Sequence, residues 1–386
     1  MADVSVHRGP RFVFSSGNCR YEVYRTLVAH RDYDTLLLAW RQPQDGSARA
    51  QVVLKPLQMS FGRERRARAM EEVELAKHLQ HPNIAAVHGF AVHDEAPYIV
   101  MEHMRGCYLL TVMDYALLVG RKLSPPFAAY VAAEVANALD YAHRRNDEEG
   151  RPLNIIHRAV GPLRIRLGFN GRVKLANFGA AYSELRERLR TPHGLLRGDP
   201  AYLAPEILRA VAESDASQAD PLKAKGIDGR ADIFSLGLVL LEMLIAEYPL
   251  DPLETLPPAA PSVFPPSIQA ERTTAIKLEV LANRLLRFHP SDVESAAEKL
   301  PAPLWPILLR ALQPDPAARY KSAAEMRDKL RAYLNSLQRP FGAEEIAAEL
   351  KSILEAAARL KRLATTNTIE RGVLPMAAED AADTDQ

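Results

Sequence analysis

Residues 233–245, I-F-S-L-G-L-V-L-L-E-M-L-I, are apolar on nearly every face that a helix can present. A helix of that kind has no side to turn toward water, so it must run through the middle of a sizeable core. At 386 residues the chain is too long for one small domain and about right for two lobes and an appendage. Hydrophobic residues make up 47% and charged residues 25%, the balance of a globular protein able to build such a core.

The elements around that helix read in order. From Tyr21 the pattern is that of strands: E-V-Y-R-T-L-V, T-L-L-L-A-W and A-Q-V-V-L-K, the last ending in Lys55, with turn-rich residues 41–47 between two of them. Arg11 to Phe14 form an extra strand in a short lead-in, residues 1–20. Residues 63–80 are predicted helical, with Met70, Val73, Ala76 and Leu79 close to helical spacing. Ser124-Pro125-Pro126 opens another helix with a capping Ser and a first-turn Pro, and Phe127, Val131, Val135, Leu139 and Ala142 share one face of it. Residues 343–363 predict an amphipathic helix with Ile346, Leu350, Ile353, Leu354, Ala357 and Leu360 in one stripe. Glu344 and Glu345 at its start and Lys361 and Arg362 at its end suit the helix dipole. The acidic residues 364–386 are expected to be disordered.

Composition removes several function classes. A net charge of +1 gives no global field toward nucleic acid or an anionic membrane. Two cysteines, Cys19 and Cys107, are too few for a disulfide framework or a zinc site and fit a reducing cytoplasm. The opening M-A-D-V-S-V-H-R-G lacks an apolar signal core, and no apolar run approaches the ~18 residues of a membrane span. The chain is therefore expected to be cytoplasmic.

The chemistry is concentrated in residues 156–206: I-H-R-A-V-G-P-L-R-I-R-L, then V-K-L-A-N-F-G-A-A, then G-D-P-A-Y-L-A-P-E. This series resembles the catalytic segment of Hanks-type bacterial serine/threonine protein kinases, which write H-R-D-x-x-x-x-N, D-F-G and A-P-E. The resemblance extends over residues 21–335. It implies an α+β, bilobal protein-kinase-like fold: a small, mainly antiparallel β lobe with one helix (21–105), then a large helical lobe (106–337). It also implies which groups ought to do chemistry, and those are replaced. Ala159 stands for the loop Asp that accepts the substrate proton, Arg164 for the loop Asn, and Asn177 for the D-F-G Asp, the last two being the magnesium ligands. Ala159 has no polar side-chain atom, Asn177 has lost the charge, and Arg164 puts a permanent cation where a divalent metal belongs. No catalytic residue and no metal ligand is expected.

By the same resemblance the nucleotide pocket is altered. Val53 and Arg166 replace the small roof residue and the apolar floor residue that sandwich an adenine. Met101 is at the gatekeeper position, and Glu102 to Met104 form the hinge. The three glycines of the phosphate loop fall on Ala29, Arg31 and Asp34, whose side chains block close backbone approach. Lys55 and Glu72 survive; they either clamp phosphates or only fix the helix against the sheet.

Scaffold residues are kept: His157, Arg158, Phe178 and Gly179; Asp232, matching a buried aspartate that accepts backbone hydrogen bonds; and Glu206 with Arg319, matching a buried ion pair. Asp199 replaces a Thr that helps hold the peptide substrate. Ser183 and Thr191 are candidate phosphoacceptors in an Arg-rich loop. Residues 210–226 read as a mobile surface insertion, and residues 251–300 as a second insertion with Leu278, Leu281 and Leu285 on a helix face. That face either binds a partner or covers its own lobe.

The leading expectation is a pseudokinase: a non-catalytic signalling protein acting through a protein partner, such as an active protein kinase or its substrate. The 343–363 helix docks on the lobe, pairs in an oligomer, or enters a partner groove. ATP and magnesium enter only under the alternatives, an atypical kinase or an ATP sensor that does not transfer.

Overall fold

A computed structural model describes residues 12–27, 36–57, 63–185, 197–213, 225–246, 288 and 300–370. The strand-patterned start pairs as a six-stranded antiparallel sheet in the order β1-β2-β3-β4-β6-β5. Its strands are β1 (Phe12–Ser16), β2 (Cys19–Leu27), β3 (Leu36–Pro43), β4 (Ala50–Pro56), β5 (Val87–His93) and β6 (Ala96–Glu102). Helix α1 (Arg63–Ala76) lies between β4 and β5 in the chain. The small lobe thus begins before Tyr21. β1 pairs with β2 from Phe12↔Val23 to Ser16↔Cys19, and Phe14 is buried between the rings of Tyr21 and His93. Ser16 also receives the backbone N–H of Val92 at 2.8 Å, which ties the first strand to the far edge of the sheet.

Helix α1 stops at Ala76, four residues short of the expected end. Val73 and Leu79 are buried as their spacing predicts, but Met70 is 63% exposed, and Ala69 is the residue that faces the sheet beside Val73.

The large lobe starts with β7 (Gly106–Tyr108), α2 (Leu109–Leu118) and α3 (Pro125–His143). The Ser124 hydroxyl accepts the N–H of Phe127 at 3.3 Å, so the expected cap forms. All five residues expected on one face of α3 are buried, and so are the alanines between them, because other helices pack on its remaining sides. Short strands β8 (Ile165–Gly168) and β9 (Val173–Leu175) complete a three-stranded sheet, β7-β8-β9. Then come α4 (Pro205–Ala212), α5 (Arg230–Ile245), α6 (Trp305–Ala311), α7 (Ala323–Asn335) and α8 (Ala343–Glu370). Every residue of α5 from Ala231 to Ile245 is buried, which makes it the axis of the lobe.

Helix α8 runs seven residues past 363. Ile346, Leu350, Ile353 and Ala357 of its stripe are buried in the large-lobe core, whereas Leu360 is exposed. Of the three roles open to this helix, docking on its own lobe is the one it takes, so the stripe is not available to a second copy or a partner groove. The Glu349 carboxylate accepts both the N–H and the hydroxyl of Ser124, at 2.8 and 2.6 Å. The helix start sits so close to the β8–β9 turn that a Cβ on Gly171 (φ +78°) would collide with the Ala343 carbonyl. Only glycine fits there.

Most of both insertions, Leu278, Leu281 and Leu285 included, lies outside the described residues, as do Thr191, residues 371–386, and Ala29, Arg31 and Asp34. One residue of the second insertion, Phe288, is buried with its ring edge-on to Phe234 of α5, so that insertion does reach the core of its own lobe. Ser183 is buried, which hides its hydroxyl from an incoming kinase in this conformation.

Candidate functional site

The cleft between the lobes is built on α5. Asp232, in its first turn, is fully buried and gathers the loop around it. Its Oδ2 accepts the backbone N–H of His157 at 2.7 Å and its Oδ1 that of Arg158 at 2.9 Å, while His143 Nε2 lies 2.8 Å from Oδ2. Burial pushes this carboxyl up, yet the His143 hydrogen bond and the charges of His143 and His157 outweigh it and leave the pKa lowered. Arg158 is held at φ +61° by those bonds, a conformation that L-residues rarely adopt.

His157 is buried without a charge partner strong enough to keep it protonated, so burial lowers its pKa to about 4. Its Nδ1 accepts the N–H of Ala159 at 3.2 Å, and its Nε2 lies 3.3 Å from the carbonyl of Ala176. That arrangement suits a neutral ring protonated on Nε2. The ring stands edge-on to Phe178 at 4.5 Å. Asp232, His157 and Phe178 are thus tied into the packing of this loop.

The positions that ought to carry chemistry sit in this frame. Ala159 is 3% exposed and offers a methyl group where a proton acceptor would stand. Asn177 adopts φ +64° and turns its Oδ1 back to accept the N–H of Gly179 at 3.2 Å, capping its own turn. The Glu72 carboxylate reaches the same turn: a Cβ on Gly179 would lie 2.9 Å from Glu72 Oε2 and 3.1 Å from Asn177 Oδ1. Burial raises the Glu72 carboxyl, and the charges of Lys55 and then Arg164 pull it back. Lys55, Glu72, Arg164 and Asn177 are thus brought together. At the two positions where the family pattern has magnesium ligands stand a guanidinium and an amide whose oxygen is spent on its own turn.

The purine end holds a larger departure. Arg166, on β8, pairs with Tyr108 on β7 and lays its guanidinium over that ring at 4.9 Å. One Nη donates to the hinge carbonyl of Met104 at 2.9 Å. The side chain thus takes a backbone acceptor of the hinge for itself. Val53 is buried opposite Met101 in the sheet, and Met101 packs among the small-lobe residues that face α1.

The hinge is braced by a pair that sequence reasoning missed. Glu102 accepts from Lys174 Nζ and from the N–H of Ala86, each at 3.0 Å. Lys174, on β9, also donates to Ile84 O at 3.1 Å. A lysine between Val173 and Leu175 in a short apolar strand was the available signal. Asn83 adds a second tie between the lobes, donating to Glu134 of α3 at 2.7 Å and to the Val173 carbonyl at 3.0 Å.

Further along, Tyr202 donates its hydroxyl to Glu242 of α5 at 2.7 Å. Burial raises the Glu242 carboxyl to about 7, with Asp199 and Asp114 adding repulsion. Asp199 accepts the N–H of Ala201 at 3.1 Å, and its Oδ2 lies 3.4 Å from where a Cβ on Gly161 would be. The buried ion pair is present: Arg319 Nη1 and Nη2 donate to the two oxygens of Glu206 at 2.6 and 2.8 Å.

A β lobe with one helix, a helical lobe threaded by α5, and a loop gathered on Asp232 between them define the bilobal architecture of protein kinases. The protein kinase domain model matches residues 44–299, and the chain belongs to that family. Similar proteins include the tyrosine-protein kinase MasK of Myxococcus xanthus, 30% identical over 284 residues (73% of this chain and 38% of that one). The serine/threonine-protein kinase PrkC of Bacillus subtilis is 27% identical over 278 residues, 72% of this chain and 35% of PrkC. This chain therefore spans little more than a third of the length of these relatives. Among solved structures, the Mycobacterium tuberculosis PknI kinase domain aligns at 25% identity with a TM-score of 0.49, covering 83% of this chain and 97% of that one. No helix among the described residues is long and apolar enough to cross a membrane.

Proposed function

We propose that this chain is a pseudokinase, a member of the protein kinase family that does not transfer phosphate and signals through protein–protein contact in the cytoplasm. The observation that carries this reading is the Arg166 guanidinium on the hinge carbonyl of Met104, beside a loop whose proton-accepting position is Ala159. A purine entering this cleft must displace a charge-assisted hydrogen bond and a stacked cation, and an acceptor hydroxyl would find no base. Neither ATP nor magnesium is a cofactor in this reading. The partner is a protein, and an active kinase or its substrate suits a surface shaped like a kinase. The bonds of Glu102 and Asn83 across the lobes support a scaffold that holds its shape without nucleotide.

Incubation of the purified chain with labelled ATP, magnesium or manganese and a generic protein acceptor tests this reading. No incorporation is expected. Turnover that disappears in Lys55→Ala would restore an enzyme.

A further inference from the structure

Three charged side chains meet in the cleft, and their balance is unlike that of a metal-loading site. Counted by residue type, Lys55 and Arg164 carry +1 each, Glu72 carries −1, Ala159 and Asn177 carry none, and the formal sum is +1. In the family pattern the same five positions read Lys, Asn, Glu, Asp and Asp, which sum to −2 and call for divalent ions. Here the cation is built into the chain. Arg cannot be deprotonated to make room for a metal.

Two of the donors at this point lack acceptors among the described residues. The Arg164 guanidinium makes no hydrogen bond and no ion pair among the described residues, although Glu72 feels its charge. Asn177 spends its Oδ1 on Gly179, and its amide NH2 donates to nothing among the described residues. A planar fork of N–H donors and a free amide favour tetrahedral oxyanions. Lys55 comes from β4 of the small lobe and Arg164 from the loop of the large one, so an anion that meets both must bridge the lobes. A chain of two or three phosphates does so better than a single one. At the other end of the cleft Arg166 already holds the hinge acceptor, so nothing there favours a purine.

We infer that the Lys55–Arg164–Asn177 cluster binds a polyphosphate chain directly, without a divalent metal and without need of a nucleobase. The anion would close the two lobes on each other and so set the shape presented to a partner. This rests on the reading that the cleft does not hold ATP with magnesium, and it names the ligand class that replaces it. The phosphates of a nucleotide and a free inorganic polyphosphate share this chemistry.

The test is a thermal-shift and calorimetric titration of the full chain in EDTA. The probes are sodium tripolyphosphate, ATP, orthophosphate, and sodium chloride at matched ionic strength. Tripolyphosphate should raise the melting temperature by about 2 °C or more at saturation, with sodium chloride causing no comparable rise. Arg164→Gln should weaken tripolyphosphate binding about tenfold or more, and Arg164→Lys, which keeps the charge but not the fork, should retain part of it. Lys55→Met, which removes the other cation acting on Glu72, is a second variant and should lose a similar share. Added magnesium should weaken binding. The inference is overturned if tripolyphosphate in EDTA does no more than the salt, if binding requires magnesium, or if Arg164→Gln and Lys55→Met both bind normally. ATP binding far more tightly than tripolyphosphate would also overturn it, by showing that the base is read. A chain that ignores tripolyphosphate yet fails to phosphorylate an acceptor loses this inference alone; phosphoryl transfer would remove the functional reading whatever the anion does.

Discussion

Replacing Arg319 with Ala should damage the large lobe more than any single change to the altered catalytic positions. The side chain is 1% exposed and makes five hydrogen bonds. Two go to the Glu206 carboxylate at 2.6 and 2.8 Å, and three to the carbonyls of Gln313, Arg230 and Pro314 at 2.7, 3.0 and 3.2 Å. The guanidinium also lies 4.9 Å over the ring of Phe234 in the core helix. Truncation leaves a carboxylate unpaired in a site where its side chain is only 14% exposed, and strands three carbonyls. Breaking one side of such a pair typically costs about 3–5 kcal/mol. For a domain of this size that lowers the melting temperature by about 6–10 °C. Differential scanning calorimetry of the purified variant reads it directly. Arg319→Lys keeps the charge but not the fork, so it should recover only part of the loss. Pairing Glu206→Gln with Arg319→Met should cost less than the two single changes added together, because neither then leaves a buried charge behind. A melting temperature within about 1 °C of wild type for Arg319→Ala would refute the reasoning.

Arg166→Leu frees the Met104 carbonyl and restores an apolar floor, so the variant should respond to adenosine in a thermal-shift titration where wild type does not; equal responses would remove the occluded-hinge reading. Ile353→Ala, in the covered stripe of α8, should cost about 2–4 kcal/mol of stability by denaturant titration, with no change in oligomeric state by light scattering. Glu242 has a folded pKa raised from the ordinary 4.5 to about 7, so its contribution to stability is full below about pH 4.5 and is lost as pH rises through about 7. Glu242→Gln, which still accepts from Tyr202, should remove a loss of about 3 kcal/mol between about pH 5 and about pH 8; melting curves that fall equally in both proteins would refute this.

Much of the fold was legible because its signals are local. An unbroken apolar run has one solution, burial, and α5 takes it. Ser124 followed by two prolines starts a helix wherever the chain goes next, and it does so here. The buried Asp232 was legible only through the resemblance of D-I-F-S-L-G to the kinase pattern, and in the structure it is buried and accepts the N–H groups of His157 and Arg158. Met70 and Ala69 show where local reading stops. A helical stripe can be rotated by one residue at little local cost, and only the facing sheet decides which of the two neighbours goes inside.

By itself the sequence determined the bilobal kinase architecture, the axis helix, the retained scaffold charges and the missing proton acceptor at Ala159. The axis helix follows from residue type alone; the others follow from the resemblance of an ordered series of motifs to the kinase family. Tertiary structure decided three other matters. Arg166 turns inward to Met104 because β7 brings Tyr108 beside it, and a long side chain on a strand takes whichever partner its neighbours offer. Helix α8 covers its own lobe because Glu349 meets Ser124, 225 residues earlier, and Gly171 leaves room for Ala343. Lys55 and Arg164 share Glu72 only because the lobes fold onto each other, and no local propensity encodes a meeting between residues so far apart in the chain.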